Sequence, residues 1–168
     1  MKQLFVFSVL AIALFSCTGG KKQAEAATST YELDNLLAVA EQKVDETVTV
    51  VGYVTHTCQH SGKKCFIVGE SQDASLRVEA QGEIETFSSE LIGSKLAITG
   101  LLREYQLSED YINELEVEVQ QLEQEEGMEE VCASELSNIS DMRKWMKDHD
   151  KNYYVIYYMD GLTYDVLD

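Results

Sequence analysis

The hydrophobic positions change period several times along the chain, and each change marks an element. From Tyr31 to Lys43 the apolar residues Leu33, Leu36, Leu37 and Ala40 recur at the spacing of one helical face. Ser29 or Thr30 can cap that helix. The period then falls to two. Val48, Val50, Gly52 and Val54 share one face of a strand, and Thr47, Thr49, Tyr53 and Thr55 the other, with Val51 as the exception. Cys65 to Glu70 predicts a second strand. In a third, Leu76, Val78 and Ala80 alternate with Ser75, Arg77 and Glu79. Ile84 to Ile92 reads as a short helix, and Leu96, Ile98, Gly100 and Leu102 mark a fourth strand.

The last third changes period again. Ser108-Glu109-Asp110-Tyr111 is a helix start with acids in its first turn. Ile112, Leu115, Val119 and Leu122 follow at helical steps. A strand over Glu114 to Val119 is the rival, since Leu115, Val117 and Val119 alternate with glutamates. Helix is preferred because the pattern extends to Leu122 and glutamate is a poor strand former. Gly127 interrupts, and a second helix is expected from about Ser134 to His149, giving an antiparallel helical hairpin. Tyr153 to Met159 reads as a strand that closes a barrel, Asp160-Gly161 as a turn, and Leu162 to Leu167 as a further strand.

The start of the chain is different in kind. Lys2 precedes an apolar stretch from Leu4 to Phe15 that only Ser8 interrupts. It is shorter than the about 18–20 residues that span a bilayer and has the size of a signal-peptide core. It ends Leu14-Phe15-Ser16-Cys17, which resembles a bacterial lipoprotein signal, with a departure at Phe15. The resemblance implies cleavage before Cys17, a lipid on its sulfur and acylation of the new N-terminus. An ordinary secretory signal is the alternative. The expected organisation is a signal peptide over 1–16, a lipidated cysteine and flexible tether over 17–30, and a folded domain over 31–168. No acidic pair directly follows Cys17, which favours a periplasm-facing anchor in the bacterial envelope.

Three segments carry a resemblance in fold. Val48-Thr49-Val50-Val51-Gly52-Tyr53-Val54, then Ser75 to Ala80, then Leu91 to Gly100 resemble an OB-fold of the tRNA-anticodon-binding-like type. Glycines within the first and fourth strands suit strands that coil around a small barrel. Similar domains occur in envelope lipoproteins. The resemblance covers roughly residues 44–104 and implies an OB-like barrel core there. With the elements read from the periodicity, the expected fold is α+β: a five-stranded OB-like barrel with an N-terminal helix and an acidic helical hairpin over 108–150 inserted before closing strands over 152–167. Fold does not carry function.

Charge narrows the partners. The 168 residues hold 13 bases and 30 acids, for a net charge of -17. Loss of residues 1–16 would remove one lysine and no acid. Such acidity argues against nucleic acid, whose phosphates need a positive surface, and against adsorption on anionic headgroups. The excess is uneven: residues 104–168 hold 18 acids against four bases. The run of acids from Glu109 to Glu130 reads as a solvated helix face or a docking face for a basic partner.

Candidate chemistry is concentrated in His56-Thr57-Cys58-Gln59-His60-Ser61-Gly62-Lys63-Lys64-Cys65. His56 and Cys58 share the parity of Val48 to Val54, so the inward face of the first strand becomes His and Cys as it leaves the barrel. Cys65 starts the return strand. Two thiolates and two imidazoles, from His56, Cys58, His60 and Cys65, can fill a tetrahedral Zn²⁺ site or hold copper(I). A Cys58–Cys65 disulfide stapling the hairpin is the alternative in an oxidising compartment. Cys132 remains as a buried thiol, a further ligand or a disulfide partner. Separately, His149-Asp150-Lys151-Asn152-Tyr153 resembles an element of the periplasmic haem chaperone of cytochrome c maturation. That resemblance implies haem attachment at His149 with Tyr153 assisting. No nucleophile elbow, phosphate loop or triad order is present. The expectation is therefore a non-catalytic, membrane-anchored binding module. It either holds Zn or Cu at the first hairpin, or docks an envelope protein through its barrel face or acidic helices. A haem carrier is the remote third reading.

Overall fold

The computed structural model describes residues 28–123 and 127–167. The expected signal peptide, Cys17 and most of the tether lie outside the described residues. The chain order is β1 (Thr30–Glu32), α1 (Leu33–Ala38), β2 (Thr47–Thr57), β3 (Lys64–Val68), β4 (Ser75–Ala80), β5 (Lys95–Ser108), α2 (Glu109–Leu122), α3 (Glu129–Asp148) and β6 (Tyr153–Leu167). Short 3₁₀ turns occupy Ala40–Gln42 and Ser89–Leu91.

β2, β3 and β4 form an antiparallel meander. β6 joins β4 in parallel and β5 antiparallel, and β5 pairs back onto β2. Five strands thus close a mixed barrel with OB-like order, and β1 adds a sixth strand outside it, parallel to β2. The fold is α+β. The alternating positions work as the sequence indicates: Val48, Val50, Ile67, Leu76, Val78, Leu96, Ile98, Leu102 and Met159 fill the barrel, all at most 1 % exposed. Leu33 and Leu36 of α1 pack into the same core. A second core joins Leu107 of β5 to Ile112, Val119, Cys132, Ile139 and Met146 of α2 and α3. Ser108 caps α2, its hydroxyl accepting from the Tyr111 N–H at 3.2 Å, and Glu114 to Val119 is helical.

Several expectations are corrected. The helix expected over Tyr31–Lys43 is only one turn and a half, because Thr30–Glu32 spends its backbone on β2 instead. Glu32, not Ser29 or Thr30, stands at its start, without a side-chain cap. The segment Ile84–Ile92 is largely irregular. Only Ile84 and Phe87 are buried there, and the Phe87 N–H is used by Gly62 O at 2.7 Å, outside any helix. α3 begins at Glu129, earlier than expected. Asp160-Gly161 makes no turn: β6 runs straight through it, with Leu162 as an extra residue where the register passes from Thr99↔Thr163 to Gly100↔Gly161.

Candidate functional site

A one-residue bulge decides which side chains meet. β2 pairs Val54 with Ile67 and then His56 with Phe66, so Thr55 is the extra residue. Parity reverses beyond it. His56, expected on the inward face, is exposed, and Thr57 is turned inward at 2 % exposure.

The bulge sets His56 at the end of a row that crosses the whole barrel. His56 lies opposite Phe66, Phe66 opposite Arg77, Arg77 opposite Tyr158, and Tyr158 opposite Arg103. One residue comes from each of the five barrel strands, and all point outward. The His56 and Phe66 rings lie 5.8 Å apart, tilted by 46°. The Arg77 guanidinium sits 5.1 Å over the Tyr158 ring. The cations of this face are matched by carboxylates. Arg77 Nε is 3.2 Å and Lys64 Nζ 3.9 Å from Glu79. Arg103 donates to Asp160 at 3.0 Å and pairs with Asp45. The Arg103 guanidinium is held protonated even more firmly than usual by hydrogen bonds to Asp160 and Asp45.

Beside the row, the β2–β3 turn forms the barrel mouth. Gly62 takes a left-handed conformation (φ 62°), and its carbonyl accepts from Phe87 N–H. A cleft of about 360 Å³ lies between the turn and the Thr86–Ser89 segment. Cys58 lines it. The Ser61 hydroxyl donates to Cys58 Sγ at 3.4 Å. That bond, followed by the backbone N–H groups of Ser61 and His60, draws the thiol below its ordinary range, with a smaller pull from Lys64. Cys65 is the opposite case. It is fully buried in the barrel core, and burial pushes its thiol up to about 12.

The four residues proposed for a metal are therefore divided between the two surfaces of the barrel wall. His56 lies against Phe66 outside, Cys58 and His60 stand at the turn, and Cys65 is inside. Among the described residues no three His, Cys, Asp or Glu side chains converge to hold a metal ion. Cys58 and Cys65 are free thiols. Thr57, not Cys58, is opposite Cys65 in the ladder. Cys132 packs in the hairpin core, apart from the cluster that holds Cys65. His149 stacks on Trp145 at 4.1 Å, with Nδ1 2.8 Å from the Trp145 carbonyl oxygen. Tyr153 starts β6 beneath Lys151. The cleft at His149 measures about 160 Å³, smaller than the roughly 300–1,000 Å³ of small-molecule pockets.

The two thiols predict opposite reactivities. At neutral pH, Cys58 is expected to be alkylated by iodoacetamide in the folded, reduced protein, and Cys65 only after denaturant is added. Ser61→Ala should slow the Cys58 reaction severalfold, because it removes the largest contribution to the lowered thiol. Peptide mass mapping over time reads both. Equal labelling of Cys58 and Cys65 in the native protein would contradict the placement.

The row is not visible in the sequence alone. Phe66, Arg77 and Tyr158 each sit at outward parity, but only the register across β3, β4 and β6 brings them side by side.

No family model and no curated protein matches the sequence. Among solved structures, the chain is similar to one described as an aspartyl-tRNA synthetase from Leishmania major Friedlin, at 16 % identity and a TM-score of 0.33. The match covers 51 % of this chain and 18 % of that one.

Proposed function

We propose that this is a lipid-anchored, non-catalytic binding module of the bacterial envelope that engages its target with the outer face of the barrel. The anchor is supported by the lipoprotein-like run Leu14 to Cys17. The binding reading is supported above all by the cross-barrel row His56, Phe66, Arg77 and Tyr158, which gathers flat side chains from four strands on one outward surface. Flat aromatic and guanidinium groups are the side chains most enriched at recognition surfaces. This reading is favoured over the zinc or copper(I) site because Cys65 belongs to the barrel core.

Site-specific photocrosslinking in the native bacterium tests it. A benzophenone side chain at position 66 should give light-dependent adducts in the membrane fraction. One at position 117, on the exposed side of α2, should give none. In the same cells Cys17→Ala should release the protein from membranes. Absence of adducts at position 66 would sink the binding face, and an unchanged membrane fraction for Cys17→Ala would sink the anchor.

A further inference from the structure

The charge balance of the outer face narrows its ligand. We infer that the row His56–Phe66–Arg77–Tyr158 binds an uncharged oligosaccharide laid across the strands; this rests on the reading of that face as the binding site. Four flat groups stand side by side, one per strand. At the ordinary interstrand spacing they cover about 14 Å, so an extended chain of rings fits them better than a single small molecule. Aromatic faces carry partial negative charge and attract the polarised C–H groups of a sugar ring.

The neighbouring charges exclude the other extended polymers. Each cation at the row has a carboxylate beside it: Arg77 and Lys64 have Glu79, and Arg103 has Asp160 and Asp45. A polyphosphate would find no uncompensated cation, and the chain's net charge of -17 would repel it. A basic peptide would find these carboxylates already paired. An uncharged, hydroxyl-rich ligand meets no such conflict. Paired carboxylates and guanidinium groups still accept from and donate to hydroxyls. Arg77 stacks its guanidinium over Tyr158, and the terminal amino groups of a guanidinium can donate to hydroxyls; its Nε is buried beside Glu79.

Isothermal titration calorimetry on the detergent-solubilised full chain tests this, with maltohexaose, cellohexaose and fully N-acetylated chitohexaose as probes and oligo(dT) as the charged comparison. At least one hexasaccharide should bind more tightly than about 1 mM, with little change between low and physiological salt. Phe66→Ala should weaken it about tenfold or more, and Val117→Ala should not. Phe66→Leu, which keeps an apolar side chain without the ring, should show the same loss at an unchanged melting temperature. The inference is overturned if none of the three sugars binds at that level. It is also overturned if Phe66→Leu binds like the parent, or if oligo(dT) binds more tightly with a steep salt dependence. Adducts at position 66 without sugar binding would leave the binding face standing and remove this ligand class.

Discussion

Replacing Gly100 with alanine is expected to lower the unfolding free energy by about 3 kcal/mol. Gly100 lies where neighbouring strands approach closely, between Val48 of β2 and Gly161 of β6. A Cβ there would sit inside van der Waals contact of the Asp160 carbonyl oxygen, 2.7 Å from Met159 Cγ and 3.0 Å from Gly161 Cα. Met159 can turn, but the backbone of β6 has little room to give. It is bonded to β4 on one side and β5 on the other, and its bulge is already used at Leu162. Overpacking against backbone in a closed barrel therefore belongs at the upper end of the usual 1–3 kcal/mol. In a domain of this size the melting temperature should fall by roughly 10 °C. Gly93→Ala is the comparison. Its φ of 88° disfavours a side chain, but nothing lies within 4 Å of an added Cβ, so about 1 kcal/mol is expected. Thermal and urea unfolding followed by circular dichroism separate the two. A Gly100→Ala protein within about 0.5 kcal/mol of the parent would mean that the barrel is not closed as described.

The same tightness explains what the sequence made legible. Period-two alternation is enforced wherever one face of a strand is buried, so Val48 to Val54, Ser75 to Ala80 and Leu96 to Leu102 announced both their strands and their inward residues. Ser108 announced α2 because an N-cap is local chemistry. The features that define the candidate site are of another kind. The extra residue Thr55 leaves no local mark, yet it moves His56 from the inward face to the outer row and turns Thr57 inward. Arg77 and Tyr158 are brought together by pairing between segments about eighty residues apart in sequence, and Phe66 joins them through Arg77. The extra residue Leu162 let β6 continue through a dipeptide that is ordinarily a turn.

The uneven charge acquires a structural meaning. Past Leu101↔Thr47 on β2 and Tyr158↔Arg77 on β4, β5 and β6 continue together as a two-stranded ribbon to Ser108↔Tyr153. The ribbon carries α2 and α3, and with them most of the negative charge. Arg143 ties the two helices by donating to Asn113 and Glu116 at 2.8 and 2.7 Å. The outer face of the barrel keeps its own near-balance of Lys64, Arg77 and Arg103 against Glu79, Asp160 and Asp45. Net charge alone would describe neither surface correctly, because it sums two regions with different charge balances.

The reduced protein should lose stability steeply above about pH 9, and Cys65 should account for much of the loss. An ordinary thiol titrates near 9, whereas burial pushes Cys65 up to about 12 in the folded state. Below pH 9 both states hold the proton and the contribution is complete. Between 9 and 12 the unfolded chain releases it while the folded chain keeps it. The folded state then binds more protons, and stability falls as pH rises. The slope is about 1.4 kcal/mol per pH unit, or about 4 kcal/mol over the interval. Tyr157, also raised by burial, acts in the same direction at higher pH. Cys58 acts oppositely: its lowered thiol contributes stability that is lost as pH falls through its folded value. The difference between the parent and Cys65→Ala therefore isolates the buried thiol. Urea midpoints measured with reductant from pH 7 to 12 should converge for the two proteins, the parent falling faster. Parallel curves would remove Cys65 from the core. A thiolate held by Zn²⁺ would reverse the sign, because metal binding lowers the thiol value and adds stability as pH rises through neutrality. The same titration with and without added Zn²⁺ therefore separates a core thiol from a ligand.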